Sequence, residues 1–209
     1  GAQGLWQVFD EERAEFAGDR EQLHAVLDEA AYDAARRTTI NAHYTDAGYV
    51  REIWRTVQEL GFDGGEVLEP GCGSGTFIGL APLSARMTGV ELDPTTAAIA
   101  AHIYPDATIR AESFAETRYP RGHFDVTIGN VPFADVRLHD PGHNPNARLA
   151  MHNHFIVKSL DLVAPGGVVA LLTSRYTLDA RNPAARQAIA ERADLLGAVR
   201  LPTGAHRGY

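Results

Sequence analysis

A short turn with several hydrogen-bonding groups stands out in the sequence at Gly129-Asn130-Val131-Pro132-Phe133. It follows Phe124-Asp125-Val126-Thr127-Ile128, an apolar and β-branched run that predicts a strand. A strand that stops at Gly-Asn-x-Pro delivers an amide, a backbone carbonyl and an aromatic ring to the edge of a sheet. These three groups together are suited to gripping a planar amine.

A glycine-rich turn forms the second candidate site, at Glu69-Pro70-Gly71-Cys72-Gly73-Ser74-Gly75. Glycines at alternate positions let a ligand approach the backbone closely, and a helix beginning after them presents free N–H groups. Glu91 follows Gly75 by 16 residues at the end of the next predicted strand, where a carboxylate can accept hydrogen bonds from ribose hydroxyls. The glycine-rich turn and Glu91 together predict a nucleoside-containing ligand. The glycine-rich turn alone is also compatible with simple strand-to-helix packing.

The surrounding pattern predicts an α/β fold that positions both turns. From Glu66 onwards, short apolar runs alternate with Gly-rich turns and helical segments, which is typical of a parallel sheet with helical crossovers. The predicted strands lie near 66–69, 86–91, 107–111, 124–129, 167–173 and 195–200. The predicted helices lie near 76–82, 94–103, 148–163 and 183–193, and residues 131–147 form the one long loop.

Helices are also predicted before the sheet. Within residues 1–40, apolar side chains recur at the spacing of an amphipathic helix, at Leu23, Val26, Leu27, Ala30 and Ala31. A further helix begins at Thr45 or Asp46 and runs to about Leu60, before Gly61. We therefore expect a helical N-terminal extension over residues 1–40 and a catalytic domain over residues 41–209.

Composition limits the kinds of partner that the chain can hold alone. The 209 residues carry a net charge of −8, so no overall basic field attracts a phosphate backbone. No apolar run reaches the roughly 20 residues that span a bilayer, and the start lacks the order of a signal peptide. The single Cys72 cannot form an internal disulfide. These features predict a soluble, cytoplasmic protein without membrane contact.

Four histidines in and after the long loop raise the question of a metal site: His139, His143, His152 and His154. Zinc sites usually draw on cysteine and on more regular ligand spacing. We therefore expect no metal here, and expect the histidines to serve the loop, its solubility or contacts with a substrate.

Three motifs in this order resemble those of amino-methyltransferases, above all the DNA adenine-N6 methyltransferases. They are Glu69–Gly75, Glu91 and Asn130–Phe133, which are similar to the cofactor-binding and Asn-Pro-Pro-Phe/Tyr motifs of that family. The similarity is closer still to methylase segments of very long helicase-methylase proteins of phages and mobile elements. It covers roughly Glu21–His206 and includes Ala35–Thr45, Pro165–Gly167, Leu172–Arg175 and Arg200–Pro202.

The resemblance implies a class I fold of the Rossmann-like type, with helices on both faces of the sheet, and S-adenosylmethionine as cofactor. It implies a role in holding that cofactor for Tyr44, Thr45, Glu69, Gly71, Cys72, Gly73, Gly75, Glu91 and Leu92. Tyr44 and Thr45 would hold the methionine end, although helix capping also explains them. After the third strand the family usually carries an Asp, whereas this chain has Glu112-Ser113-Phe114, so Ser113 and Phe114 are the candidates for the adenine pocket.

The resemblance also implies roles for the turn at Asn130. The Asn130 side-chain oxygen and the Val131 carbonyl would each accept one N–H of the target amine, which positions its lone pair for methyl transfer. Pro132 biases Val131 toward an extended conformation, and Phe133 would stack on a base flipped out of the duplex. Val131 replaces the first proline of the family motif, and because the required acceptor is a backbone carbonyl, the chemistry survives this change.

The predicted function is methylation of the N6 amine of adenine in DNA, typical of restriction-modification systems. Two alternatives remain at this point. One is another planar amine as substrate, namely cytosine N4, an RNA guanine or a protein glutamine; the other is a non-catalytic cofactor-binding module of a larger defence or anti-defence assembly. No segment is long enough for target recognition, so we expect DNA to be held with help from a helicase-like or target-recognition partner. The final strands of the fold are also expected to be missing.

Overall fold

A computed structural model describes residues 5–41, 45–133, 136–146 and 148–202, and for residues 5, 6, 34 and 37–41 it describes the backbone alone. The chain divides into two compact units, one that ends at Asp46 and one that comprises Ala47–Leu201. Each unit is described by itself.

The N-terminal unit contains helices α1 (Ala17–Val26) and α2 (Glu29–Asn41), preceded by two short 3₁₀ turns. The single helix suggested by the apolar spacing is broken at Leu27, whose backbone is extended. Asp28 explains the break, because its side chain accepts a hydrogen bond from Ala31 N at 2.8 Å and so caps α2. The small core of this unit centres on Val8, Phe9 and Tyr32.

The larger unit is an α/β fold built on five parallel strands in the order β3-β2-β1-β4-β5. Its elements in chain order are α3 (Ala47–Glu59), β1 (Gly65–Pro70), α4 (Thr76–Gly79), β2 (Ala85–Glu91), α5 (Pro94–Ile103), β3 (Thr108–Ala111), β4 (Phe124–Asn130), α6 (Met151–Leu162), β5 (Val163–Leu172), α7 (Tyr176–Asp179) and α8 (Ala184–Ala190). The predicted fold class is thus confirmed.

Two apolar layers cover the two faces of the sheet. Val67 and the residue after it, Leu68, point to opposite faces, as alternation along a strand requires. One layer packs the sheet against α3 and α4, and includes Trp54 and Phe77. The other packs it against α6, through residues such as Phe155. The register between β4 and β5 shifts between Phe124 and Val126, and Phe124 lies in this second layer.

The strand predicted at 195–200 is wrong, because these residues are irregular and pair with none of the five strands. Leu195, Leu196 and Val199 are largely exposed. An apolar run becomes a strand only where a neighbouring strand accepts its hydrogen bonds, and none of the described strands does so here. Strand β5 also begins earlier than predicted, at Val163, because Pro165 and Gly166 continue the strand instead of preceding it.

The helix predictions hold with shorter limits for α4, α6 and α8, and with matching limits for α5. Helix α3 ends at Glu59, close to the predicted end before Gly61, which has a φ of 106°, and Phe62 N then donates to Val57 O. None of the helices within the described residues is long and apolar enough to cross a membrane.

Candidate active site

The predicted site residues of the larger unit gather at one edge of the sheet. Because all five strands are parallel, their carboxyl ends meet at the same edge, where ligands bind in such folds. The predicted residues follow four neighbouring strands there: Glu69, Gly71, Cys72, Gly73 and Gly75 after β1, Glu91 and Leu92 after β2, Ser113 and Phe114 after β3, and Asn130, Val131, Pro132 and Phe133 after β4.

The glycine-rich turn has the backbone that its composition predicts. Gly71, Gly73 and Gly75 have φ values of 73°, 54° and 88°, a region that favours glycine. A Cβ added to Gly75 would lie 2.6 Å from the ring of Tyr104, so this position is restricted by space as well as by φ. The turn therefore passes tightly from β1 into α4 with its backbone close to the sheet edge.

Glu91 fixes the glycine-rich turn to the end of β2. One carboxylate oxygen accepts from Gly73 N and the other from Asp93 N, each at 2.9 Å. Asp93 in turn caps α5 by accepting from Thr96 N at 2.7 Å. Each oxygen of a carboxylate can accept a second hydrogen bond, so Glu91 can hold the turn and still accept from a ligand.

Glu69 is a buried acid with one unsatisfied oxygen. Its side chain is 2% exposed, and its Oε2 has no hydrogen-bond partner among the described residues. Burial raises the pKa of Glu69 well above its ordinary value; a hydrogen bond from the backbone of Ile78 lowers it, and the charge of Glu91 raises it further. A cation bound beside Glu69 would satisfy this carboxylate, which fits the amino group of S-adenosylmethionine.

The remaining cofactor candidates differ in exposure. Cys72 is buried in the core, its N–H donates to Val90 O at 3.0 Å, and burial raises the pKa of its thiol. Leu92 is 72% exposed beside Glu91, which suits an apolar wall for a bound ring. Ser113 caps the turn after β3 by accepting from Ala115 N, whereas Phe114 is buried. The Phe114 ring contacts Phe155 at a centroid distance of 4.8 Å, so it lies within the core.

The turn at Asn130 lies directly beside the glycine-rich turn. Asn130 is the last residue of β4 and pairs with Leu172 of β5, and Val131 N donates to Leu172 O at 3.1 Å. A Cβ added to Gly71 would lie 3.6 Å from Pro132 Cδ. The side-chain oxygen of Asn130 is buried, and Val131 is 1% exposed. The two predicted turns are therefore in contact, and the Val131 backbone is fixed by the sheet.

The described part of the long loop after this turn is fastened by Asn144. Its amide nitrogen donates to the carbonyls of Leu138 and Leu149, and its oxygen accepts from Arg148 N and Leu149 N. Its backbone pairs with Asp140 in an isolated antiparallel bridge. This one buried side chain closes the loop on itself.

Asp140 and Lys158 join that loop to the turn after β3. The Lys158 ammonium is fully buried and donates to Asp140 Oδ2 at 2.8 Å, Phe114 O at 2.6 Å and Thr117 O at 3.0 Å. His154 Nε2 lies 3.2 Å from the same Asp140 oxygen. Burial opposes ionisation of Asp140, but the hydrogen bonds from Lys158 and His154 outweigh it and lower its pKa to about 2. Burial lowers the pKa of Lys158, and the bond to Asp140 opposes that change.

The four histidines do not converge. His143 bonds to Asp161 and His154 to Asp140, whereas His139 is exposed. His152 is 8% exposed, and neither of its ring nitrogens has a partner among the described residues. Across the described part of the chain, no three His, Cys, Asp or Glu side chains are grouped as a metal site.

Two predicted residues do not belong to the described part of the larger unit. Tyr44 lies outside the described residues. Thr45 belongs to the N-terminal unit, where its side chain is buried. Their cofactor role stays a prediction.

The loop-fastening side chains Asn144 and Lys158 were not predicted from the sequence. Lys158 carried a readable signal, since a lysine directly after Phe155-Ile156-Val157 interrupts an apolar helix and therefore needs a buried partner. Asn144 is one of several polar residues in a loop, and nothing in the sequence distinguishes it from exposed Asn146.

Comparison with known proteins finds relatives among methyltransferases, although no protein-family model matches the chain. The chain is 28% identical to the type II methyltransferase M.XamI of Xanthomonas campestris over 78% of its own length and 34% of that enzyme. It is 28% identical to the defense against restriction protein B of Escherichia phage P1, over 79% of this chain and 8% of that protein. An rRNA N(6)-adenosine-methyltransferase of Caenorhabditis elegans is 29% identical over 58% of each chain. The chain thus spans a small part of the phage protein and about a third of the Xanthomonas enzyme.

Two solved structures share the fold. One, from Vibrio vulnificus, is assigned as a modification subunit of a type I restriction enzyme and matches with a TM-score of 0.59 at 17% identity, over 86% of this chain and 43% of that one. The other, from Listeria monocytogenes, is assigned to the class I S-adenosylmethionine-dependent methyltransferases, with a TM-score of 0.55 at 15% identity over 69% and 49% of the two chains. The sheet order, the glycine-rich turn and these two structures show that the chain has the Rossmann-like fold of class I methyltransferases, and its sequence is similar to that of methyltransferases.

Proposed function

We propose that this chain transfers the methyl group of S-adenosylmethionine to the exocyclic N6 amine of adenine in DNA, with the base rotated out of the duplex. The observation that carries the proposal is the contact between the glycine-rich turn, at Gly71, and the Asn130–Phe133 turn, at Pro132. A cofactor held by the first turn and an amine held by the second would therefore be neighbours. The relative named as an rRNA N(6)-adenosine-methyltransferase favours adenine over other planar amines.

Three acidic or apolar groups are assigned to the cofactor. Glu69 would accept from its amino group, since the buried Oε2 needs a cationic partner. Glu91 would accept from the ribose hydroxyls, and Leu92 would cover one face of the adenine ring. When bound, S-adenosylmethionine supplies an electrophilic methyl group on a sulfonium.

The turn after β4 is assigned to the target base. The Asn130 oxygen and the Val131 carbonyl would accept the two N–H bonds of the amine, so that its lone pair is freed from conjugation and can be aimed at the methyl group. Phe133 would stack on the base, whose extrusion from a duplex costs about a few kcal/mol. No general base is needed before transfer, because the nitrogen releases its proton to water after it has become cationic.

DNA would be held with help from another domain or subunit. The net charge of −8 gives the chain no overall attraction for phosphate, so we expect weak duplex binding with strong salt dependence. The restriction-related relatives, each much longer than their match to this chain, support an assembly of this kind.

The decisive test is incubation with methyl-labelled cofactor and a panel of DNA, RNA and protein, followed by identification of the labelled nucleoside or residue. N6-methyladenine in DNA is the expected product. Label in RNA would favour the second candidate, an RNA adenine, which the rRNA-modifying relative supports. If the cofactor binds but no DNA, RNA or protein is labelled, the result would favour a non-catalytic binding module.

Two variants locate the chemistry. We expect Asn130→Ala to lower transfer at least about 100-fold while cofactor affinity in calorimetry is kept, because it removes one acceptor for the amine. Asn146→Ala is the matched control, since Asn146 is an exposed residue of the following loop. Equal activity in Asn130→Ala and wild type would refute the mechanism.

A further inference from the structure

The side chain of His152 is buried close to the proposed target site without a hydrogen-bond partner. It is 8% exposed, and both Nδ1 and Nε2 are shielded from water and unpaired within the described residues. A buried polar group in this state lowers stability, and native proteins keep few of them. This cost marks His152 as a group that a ligand would satisfy.

The position of His152 indicates which ligand. It lies in the first turn of α6 between Met151 and Phe155, and both of these pack in the same apolar cluster as Val131 and Phe133. A Cβ added to Gly71 would lie 3.7 Å from the Phe155 ring. Because residues three apart share a face of a helix, His152 and Phe155 point to the same side of α6.

The neighbouring histidine, His154, has a partner for one of its two ring nitrogens. His154 Nε2 bonds to Asp140 on the loop side of the helix. His152 lies two residues away and about 200° around the helix, so Asp140 and Lys158 cannot satisfy it in the same way. Only His152 among the histidines of α6 is left with both nitrogens unpaired.

We propose that His152 recognises the edge of the target base by hydrogen bonding to a ring nitrogen of the purine. A neutral imidazole offers one N–H donor, which a purine ring nitrogen beside the exocyclic amine can accept. Burial lowers the pKa of His152, which favours the neutral ring that this role requires. This inference rests on the proposed function and assigns it a specificity-determining residue.

The test combines changes in the enzyme and in the base. DNA oligonucleotides would carry adenine, 1-deazaadenine or 7-deazaadenine at the methylated position, and kcat/KM would be measured for wild type and for His152→Leu. We expect one of the two deaza bases to lower kcat/KM of wild type about tenfold. The same base should not lower kcat/KM of His152→Leu any further, since both changes remove the same hydrogen bond. His152→Gln, which keeps a donor and an acceptor, should recover part of the activity.

The Tm of His152→Leu provides a second measurement. If His152 had a purely structural role, its replacement would lower the Tm. Because His152→Leu removes an unpaired buried polar group, we expect its Tm to rise by about 2–4 °C while its activity falls. His139→Leu, in the preceding loop, is the exposed control. Cofactor affinity should be the same in His152→Leu, His152→Gln and His139→Leu.

The outcomes separate the two proposals. One outcome is that wild type methylates adenine in DNA while each deaza base lowers kcat/KM by the same factor in wild type and in His152→Leu. In that case His152 does not bond to the base, and the inference is overturned. A lower Tm in His152→Leu would also overturn it, by identifying a structural histidine. If no adenine is methylated in any substrate, the proposed function fails and the inference fails with it.

Discussion

Two groups of buried polar side chains lie at the same edge of the sheet, and they are treated in opposite ways. In the loop anchor, defined by Asp140, Asn144 and Lys158, the polar groups bond to one another or to nearby backbone. At Glu69 and His152, by contrast, an oxygen and two nitrogens are buried without partners among the described residues. The first group holds the scaffold, whereas we propose that the second group bonds to ligands.

The difference follows from the cost of burial. An unsatisfied buried polar group costs about 1–3 kcal/mol, whereas a satisfied one is near neutral or favourable. A buried polar group without a partner near a proposed site is therefore a candidate for a bond to a ligand. We therefore expect paired buried groups to be structural and unpaired ones to bind ligands. Four measurements test this expectation.

The largest effect is expected for Lys158→Met. Methionine keeps most of the volume but leaves Asp140 as a buried charge, so we expect a loss of about 3–5 kcal/mol in the free energy of unfolding, measured with urea. Replacing both partners, in Lys158→Met with Asp140→Leu, should recover much of that loss because no buried charge is left. A loss as large in the double variant as in the single one would mean that packing, not charge pairing, explains the anchor.

The anchor should also fail in acid. Because the pKa of Asp140 is lowered to about 2 in the folded chain, the unfolded chain takes up this proton first, near pH 4. Stability from this group is complete above about pH 4 and is lost as the pH falls toward 2, by about 2 kcal/mol in total. Urea unfolding at several pH values would measure this, and Asp140→Asn should lack that part of the pH dependence.

Glu69→Gln should behave in the opposite way to the anchor variants. Removing a buried, partly unpaired carboxylate should raise the Tm at pH 8, because the raised pKa makes ionised Glu69 destabilising in the folded chain. Affinity for S-adenosylmethionine, measured by calorimetry, should fall about tenfold through loss of the charge-assisted bond.

The pH dependence of binding sharpens this prediction. In wild type, affinity should decrease on acidification from a pH above the ordinary pKa of glutamate, as Glu69 takes up a proton. Glu69→Gln should show no such decrease. A variant that binds the cofactor as tightly as wild type at every pH would remove Glu69 from the cofactor site.

The smallest effect is expected for an exposed ion pair. Arg200 donates two hydrogen bonds to Asp179 at 3.1 and 2.9 Å, a geometry as good as that in the anchor, but its side chain is 66% exposed. We expect Arg200→Ala to change the free energy of unfolding by less than about 0.5 kcal/mol. A loss close to that of Lys158→Met would mean that bond geometry, not burial, determines what a pair contributes.

The sequence predicted the order of the elements and the neighbourhood of the two turns. Alternating apolar runs locate the five strands, and parallel order brings their carboxyl ends together, so Gly71 and Pro132 could be expected to meet. The helix predicted over 94–103 also begins at Pro94 in the structure, where Asp93 caps it. These features depend on residues close in sequence or on a general property of parallel sheets.

What could not be predicted depends on distant partners. The run at 195–200 has the composition of a strand, but pairing decides whether it becomes one. The resemblance implies an adenine-pocket role for Phe114, but its burial against Phe155, 41 residues later, depends on folding and could not be predicted. The unpaired state of His152 is likewise invisible in the sequence, since it is defined by the absence of neighbours in the folded chain.

The indole of Trp54 gives the molecule an internal optical probe. It is 3% exposed, and its Nε1 donates to Phe77 O at 3.0 Å, in the helix that begins immediately after Gly75. Any movement of that helix changes the hydrogen bond and the polarity around the ring, and with them its fluorescence. The chain has only one other tryptophan, Trp6. Replacing Trp6 by Phe would therefore leave an emission from Trp54 that reports on the glycine-rich turn without any added label.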